Sequence, residues 1–328
     1  MAADATPADT PVVSSTGERA AARPEDRVPT PAELAAAAPP WGDRAVRLRV
    51  GALEVELTGL DSRLAALVRR HYARFVRDGA PGEHVLDAGH VAVARAPVAH
   101  YLFLPRGRGR AEEARVGARA TAAGVEVWSY FFAGTYRRDE PGGRLLLCEA
   151  DELDASQAVE NMLRFYLSCA ALRSGGFLLH SAGVIRDGRA WLFFGPSGAG
   201  KSTTASNAGP GATLLGDDLV LVEPGPDGRF RACGVPFRGS FQGLAPNSPA
   251  CAPLAAACRL FQDREPRVTR AALTVQVAEL LGEVPFLLDD DVLRARALEA
   301  VLRFARAVPV RRLHLPPDGS FWRALAGI

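Results

Sequence analysis

Lysine is almost missing from this chain: of 39 basic residues, 38 are arginine and one, Lys201, is lysine. Also missing is any uninterrupted apolar run of the ~18–20 residues that a membrane-spanning helix needs. The first 40 residues lack the basic-then-apolar order of a secretory leader. No Cys-x-x-Cys pair and no His-Glu-x-x-His occurs, and the five cysteines (Cys148, Cys169, Cys233, Cys251, Cys258) are an odd number. Neither a disulfide framework nor a tetrahedral zinc site is expected, and the cysteines read as small apolar fillers in a reducing cytoplasm. The formal net charge is only +2. That excludes nucleic-acid binding by bulk charge, which needs a concentrated basic field. These absences describe a cytoplasmic protein without nucleic acid or membrane as partner, and without a metal beyond one that arrives with a ligand. Oligomerisation stays open.

What is present divides the 328 residues into about two domains, since one core seldom grows far past ~250 residues. Residues 1–40 hold seven of the 24 prolines and no aromatic residue. Such a segment buries too little surface to offset its ordering entropy and reads as a disordered tail, with structure beginning near Trp41. Residues 41–150 read as an α+β domain of unknown role. Val46, Leu48 and Val50, then Leu53, Val55 and Leu57, alternate about a Gly51-Ala52 turn. Asp61 to Val76 has helical spacing with Asp61 as N-cap. Strand-like runs follow at Val91–Ala94, His100–Leu104, Val125–Phe132 and Gly143–Leu147. Residues 151–328 form the second unit. It opens on a helix with Asp154 and Gln157 as a capping box and Gly175-Gly176 at its end. Two apolar runs, Phe177–Ile185 and Ala190–Phe194, then flank Asp187-Gly188, a strong hairpin signal.

The chemistry follows that hairpin. Gly195-Pro-Ser-Gly-Ala-Gly200-Lys201-Ser202 fits the phosphate-loop pattern Gly-x-x-x-x-Gly-Lys-Ser/Thr, with an apolar strand before it and a helix-competent stretch after it. In this composition the pattern arises by chance roughly 10⁻³ times per chain. Gly195, Ser197, Gly198, Ala199, Gly200, Lys201, Ser202 and Thr203 are therefore the candidate nucleotide-binding residues. Glycines let successive N–H groups converge on an anion. Lys201 brings a compact charge to the β- and γ-phosphates of ATP, and the Ser202 hydroxyl suits Mg²⁺. Arginine, a planar fork, is a poor substitute for a point charge in a tight loop.

Two features accompany the loop. In Ala212–Val222, a β-type run, Asp217 and Asp218 follow Gly216. Neighbours in a regular strand face opposite sides, so both acids serve one site only if the chain bends there. One would then coordinate Mg²⁺ and the other accept a proton from a substrate hydroxyl. Ser202 and Asp217 are the candidate metal ligands, and which acid is the base stays open. If Asp187-Gly188 is a two-residue turn, the pairing carried outward puts His180 opposite Gly195, beside the loop. A later apolar run ending in Asp289-Asp290-Asp291 imitates a metal-binding strand, but its place before the helical stretch Val292–Ala307 reads as a helix N-terminus.

Together, His180-Ser-Ala-Gly, the hairpin, Gly195–Thr204 and Gly216-Asp217-Asp218 resemble the catalytic domain of HPr kinase/phosphorylase. They are closer still to the HPr-kinase-related phosphate-loop kinases. The resemblance is specific over 176–222 and weaker beyond. It implies an α/β kinase domain with a mixed sheet of the kind shared with phosphoenolpyruvate carboxykinase, preceded by the smaller α+β domain and the tail. It further implies that Lys201 and Ser202 hold ATP and Mg²⁺, that the Asp217/Asp218 pair supplies the base, that His180 lies on the phosphate side and that Arg238 reaches the transferred group. Thr203 stands where the bifunctional enzymes place glutamate, so phosphorylase activity is not implied. The activity expected is transfer of the γ-phosphoryl of ATP to a hydroxyl, on Ser or Thr of a peptide or protein or on a small hydroxylated metabolite. The competing expectation is an ATP-binding regulatory or assembly module without transfer.

Overall fold

A computed structural model describes residues 38–79, 85–95, 117–129, 132–138, 140–147, 152–237, 239, 247–286, 290–315 and 321–326. Among them sixteen strands and six helices build an α/β structure with two mixed sheets.

The first sheet contains β1 (Arg44–Val50), β2 (Leu53–Leu60), β3 (Val76–Arg77), β4 (Asp87–Arg95), β5 (Gly117–Ala120), β6 (Gly124–Ser129), β7 (Phe132–Arg137) and β8 (Gly142–Leu147), in the order β3-β1-β2-β4-β8-β7-β6-β5. The alternating run makes the β1–β2 hairpin, with Val50 opposite Leu53 and Gly51 at φ 60° in the turn. Helix α1 (Ser62–His71) is capped by Asp61, whose Oδ1 accepts the Leu64 N–H at 2.7 Å, and it buries Leu64, Leu67 and Val68. The run read as Val125–Phe132 reverses direction inside itself, because Ser129 pairs with Phe132 and two strands result. The strand expected over His100–Leu104 lies outside the described residues, as do residues 1–37 of the expected tail. Its last three residues differ from expectation. Ala38 is buried beside Ala94, Ala133 and Leu146, Pro40 bridges to Ala94, and the Arg95 N–H donates to the Pro39 carbonyl at 3.0 Å. An edge of apolar alanines and two backbone pairings offset the ordering cost there.

The second sheet follows α2 (Glu152–Arg173). It contains β9 (Phe177–Arg186), β10 (Arg189–Phe194), β11 (Thr213–Gly216), β12 (Leu219–Pro224), β13 (Phe230–Gly234), β14 (Cys251–Gln262), β15 (Arg267–Thr269) and β16 (Val310–Leu315). Helices α3 (Lys201–Ser206), α4 (Leu273–Leu281), α5 (Asp291–Ala307) and α6 (Phe321–Leu325) complete the chain. The β9–β10 register is the one expected from a two-residue turn: Arg186 pairs with Arg189, and the ladder runs out to Ser181 opposite Phe194. Asp187 and Gly188 have φ 53° and 73°, which suits the twist of a tight hairpin. Pairings β9–β12, β12–β13, β13–β14, β14–β10 and β10–β9 close a ring, and the long strands β9 and β14 each serve three ladders, β9 also with β11 and β14 also with β16.

Helix α2 begins at Glu152, two residues before the expected cap. Its Val159, Met162, Leu163, Phe165 and Tyr166 are buried in a cluster that continues into both sheets. Polar ties reinforce this packing. Arg173 meets Asp87 and Tyr136, and Arg138 meets Asp290. Asp290 caps α5 by accepting the Leu293 N–H at 2.9 Å, as acids before a helix should. The Glu223 carboxylate is buried, accepts the Ala52 N–H at 3.0 Å and pairs with Arg231 at 2.6 Å.

The cysteine expectation needs correction. Cys233 and Cys251 face each other across β13 and β14 with Cα atoms 4.1 Å apart and are joined in a disulfide. A spacing of 18 residues carries no hint of that opposition, which the antiparallel register creates. Cys169 and Cys258 do behave as fillers: both are buried, and burial pushes the Cys258 thiol up to about 12. Cys148 lies outside the described residues. Among the described residues no helix is long and apolar enough to cross a membrane.

Glu223 gives a direct test of how the two sheets are tied. Glu223→Ala strands the Arg231 guanidinium and the Ala52 N–H, so unfolding in urea should show a loss of roughly 3 kcal/mol or more. A change within about 0.5 kcal/mol, the size of an ordinary surface substitution, would show that this carboxylate holds nothing together.

Candidate functional site

Strand β10 ends at Phe194 and the loop begins. Gly195, Gly198 and Gly200 have φ of 143°, 80° and 100°, values that a side chain would strain. Helix α3 starts directly at Lys201, and the first N–H groups of a helix have no partner inside it. They add to the loop's own amides as donors toward an anion. Lys201 is only 8% exposed, and its Nζ donates to the carbonyls of Gly195 at 2.7 Å and Pro196 at 3.3 Å. Burial lowers its pKa, opposed by the carboxylates of Glu283 and Asp218.

The acid pair reaches the same place because β11 and β12 both pair with β9 and break between. Gly216 lies opposite Gly183 and Leu219 opposite His180. Asp217 and Asp218 occupy the break, and the Ser181 N–H donates to the Asp218 carbonyl at 3.0 Å. The bend depends on Gly216, where a Cβ would sit 2.3 Å from the Leu219 carbonyl oxygen. Both acids, His180, Gly239 and residues of the loop from Ser197 to Thr203 line one cleft of about 290 Å³.

The histidine and both acids of this cleft are held from behind. His180 places Nε2 3.3 Å from Asp218 and Nδ1 3.4 Å from Glu283, and its backbone N–H donates to the Glu283 carbonyl at 2.8 Å. Arg164 of α2 donates to the other Asp218 oxygen at 2.7 Å and pairs with Glu160, one turn earlier, at 2.8 Å. Glu160 also lies 3.7 Å from His71 of α1. Burial alone would raise the Asp218 pKa. The hydrogen bonds and charges of His180 and Arg164 outweigh it and bring the group down to about 2. The Asp217 carboxylate is buried and accepts the Gly239 N–H at 2.9 Å. Asn247 braces the segment before Gly239 by donating to the carbonyls of Val235 and Phe237.

The structure thus brings together Gly198, Gly200, Lys201, Ser202, Thr203, Ser197, His180, Asp217 and Asp218. Gly195 and Ala199 shape the loop without lining this cleft, and Arg238 lies outside the described residues. Arg164, Glu160, Glu283 and Asn247 were not singled out in the sequence. Only the Glu160–Arg164 spacing of four on a helix carried a local signal. Ser202 and Asp217 offer oxygen donors, the set that suits Mg²⁺. Among the described residues, Glu223, Cys233 and Cys251 also cluster ligand-type atoms. There the sulfurs are joined to each other and the carboxylate serves Ala52 and Arg231, so the group is structural.

A search of curated proteins finds no match. The family model that matches, over residues 146–328, is described as SynChlorMet cassette protein ScmC. This finding overturns the placement with the HPr-kinase-related kinases. The residues behind that placement form a phosphate-loop motif, a hairpin and an acidic pair within 176–222, a local arrangement that does not fix ancestry. The ScmC match instead runs from the end of β8 to the last residue and covers more than half of the chain. It contains the loop, both acids, His180, Arg164 and Glu283, and the chain belongs to the ScmC family.

Proposed function

We propose that this protein is an ATP- and Mg²⁺-dependent phosphotransferase on a phosphate-loop kinase fold, moving the γ-phosphoryl group of ATP to a hydroxyl. One observation carries this reading: Ser197, Gly198 and residues 200–203 of a complete phosphate-loop motif and a pair of carboxylates line a single cleft. An ATP-binding protein that only holds nucleotide has no need of two acids turned toward the phosphates.

The loop amides and Lys201 would hold the β- and γ-phosphates, with Ser202 and Asp217 on the metal. Mg²⁺, when bound, neutralises charge on the phosphate oxygens. The acceptor oxygen forms the new P–O bond as the bond from the γ-phosphorus to the bridging oxygen breaks. The electron pair leaves with the ADP β-phosphate, and the hydroxyl proton passes to a carboxylate. The transition state is loose and asks little of the base, so positioning matters most. The two acids divide the work by environment. Asp218, with an oxygen each on His180 and Arg164, is a fixed negative charge that orients both partners. Asp217, which accepts the Gly239 N–H, is the acid on the metal and proton side. The acceptor is a Ser or Thr of a peptide or protein, with a small hydroxylated metabolite as the other class.

Incubation of the full chain with γ-labelled ATP and cell extract should place label on a discrete species. Binding of ATP with no labelled product would sink the transferase reading and leave a nucleotide-binding module. Lys201→Ala and Asp217→Asn should each lower turnover on the order of 10²–10³-fold, the size of losing one preorganised charge. Lys201→Arg should fall nearly as far, because the fork of arginine replaces neither the reach nor the shape of the ammonium. Wild-type turnover in Lys201→Arg would remove the loop lysine from the chemistry.

The Asp218 pKa gives a pH test. A carboxylate depressed in the folded state adds stability above its unfolded pKa and loses it as pH falls through the folded value. The stability gap between wild type and Asp218→Asn should therefore hold from neutral pH down to about pH 4 and close toward pH 2. A gap already closed at pH 5 in urea titrations would show that Arg164 and His180 do not hold the ionised form.

A further inference from the structure

The cleft and the disulfide meet in the segment that joins β13 to β14. Strand β13 ends at Gly234 and β14 begins at Cys251, so the bond between Cys233 and Cys251 closes the chain directly behind that segment. Of its residues, 235–237, 239 and 247–250 are described. The outgoing arm reaches both acids. The Gly239 N–H donates to Asp217 Oδ1 at 2.9 Å, and the Phe237 ring lies 4.9 Å from the guanidinium of Arg164, which holds Asp218. The returning arm reaches the strand that leads into them, since the Ser248 N–H donates to the Leu214 carbonyl at 3.0 Å. Asn247 joins the two arms by donating to the carbonyls of Val235 and Phe237, and all three residues are buried.

We infer that the disulfide of Cys233 and Cys251 is a positioning element of this cleft, and that its reduction loosens Gly239 from Asp217 and weakens the site for Mg²⁺. The inference rests on the reading of Asp217 as the acid on the metal and adds what keeps that acid in place. The ladder behind the arms is short. Arg231 stands opposite Pro253, Ala232 opposite Ala252 and Cys233 opposite Cys251, and a proline has no N–H to give. One more bond, from the Gly234 N–H to the Ala250 carbonyl at 3.1 Å, follows before the arms part. A cross-link at that place limits how far the arms separate in local opening, as it limits the unfolded chain.

The fold accommodates both redox states. Cys233 is enclosed and Cys251 half-buried, so a thiol meets the Cys251 sulfur first. When a dithiol attacks there, a mixed disulfide forms, the bond to Cys233 breaks, and the Cys233 thiolate takes up a proton. The second thiol of the reagent then displaces Cys251, so the reagent ends as a disulfide and the pair as two thiols. The Cys233 sulfur lies 3.3 Å from Glu223 Oε1, which can accept the new S–H while it keeps Ala52 and Arg231. The tie between the sheets survives, and the change falls on the arms.

Isothermal titration of the full chain with ATP, with and without Mg²⁺, tests this in the oxidised chain, the dithiol-reduced chain and Cys233→Ser/Cys251→Ser. Mg²⁺ should tighten ATP binding in the oxidised wild type. That gain should shrink at least about tenfold on reduction and in the double variant, the size of losing a group that orients a metal ligand. Metal-free ATP affinity should stay unchanged, reoxidation should restore the wild type, and the dithiol should do nothing to the variant. Asp217→Asn should lose the gain in either redox state. A gain that survives reduction but disappears in Asp217→Asn overturns the inference and leaves the metal reading standing. Equal loss of metal-free ATP binding on reduction also overturns it, because the bond then only holds the fold. Alkylation of Cys233 and Cys251 in the chain purified without reductant does the same. A gain kept in Asp217→Asn overturns the metal reading and the inference together, and absence of ATP binding overturns the nucleotide reading with both.

Discussion

The cleft depends on strand β9 being hydrogen-bonded along both edges while one of its partners is broken. On one edge Ser181–Arg186 pairs with β10, which delivers the phosphate loop. On the other, β11 and β12 pair with its two ends, and Asp217 and Asp218 fall in the break between them. A strand spacing of about 4.8 Å then fixes how far the acids stand from the loop. No long connection and no domain closure is needed to bring them together. The bend at Gly216 replaces the up-down alternation that would otherwise send one acid to the far face.

Placing two carboxylates there creates a charge problem that the surrounding residues solve unequally. Asp218 is held from both sides, by the Arg164 guanidinium from α2 and by the His180 ring from β9 itself. Arg164 is in turn shared with Glu160, and Glu160 reaches His71 on α1. A line of polar contacts thus runs from the cleft through α2 to a helix of the first sheet. The same helix buries its apolar side chains in the core that both sheets share. The position of Asp218 is therefore anchored to the first sheet as well as to the second. Among the described residues no such line stands behind Asp217. It accepts the backbone N–H of Gly239, a glycine where a side chain would collide with the carboxylate.

Local rules made the scaffold around the loop legible. The Asp-Gly turn set the β9–β10 register, and that register carried His180 to the loop's side. The need for a bend at Gly216 followed from the two-residue period of a strand. What stayed hidden was set by partners distant in sequence. Glu283 follows a helix without any pattern of its own, yet it meets His180 about a hundred residues away. Cys233 and Cys251 become neighbours only through an antiparallel register. Ala38 and Pro40 looked like the rest of a proline-rich segment until the edge of β4 gave them a surface. Family was hidden for a different reason: a loop and an acid pair confined to 176–222 form a local motif, and a local motif does not fix descent.

The scarcity of lysine takes its meaning from this geometry. Elsewhere the chain uses arginine for ties in which a planar fork fits a carboxylate, as Arg231 does at Glu223 and Arg164 at Asp218. Those contacts exploit several donors spread over a plane. Lys201 occupies the opposite situation, nearly enclosed, with its ammonium against two consecutive carbonyls of the loop. A guanidinium there would have to place a broad, rigid group where the backbone curls on glycines of positive φ. The loop fixes the size of its cation by curling that tightly. A chain otherwise committed to arginine then needs lysine at one position, and it has one.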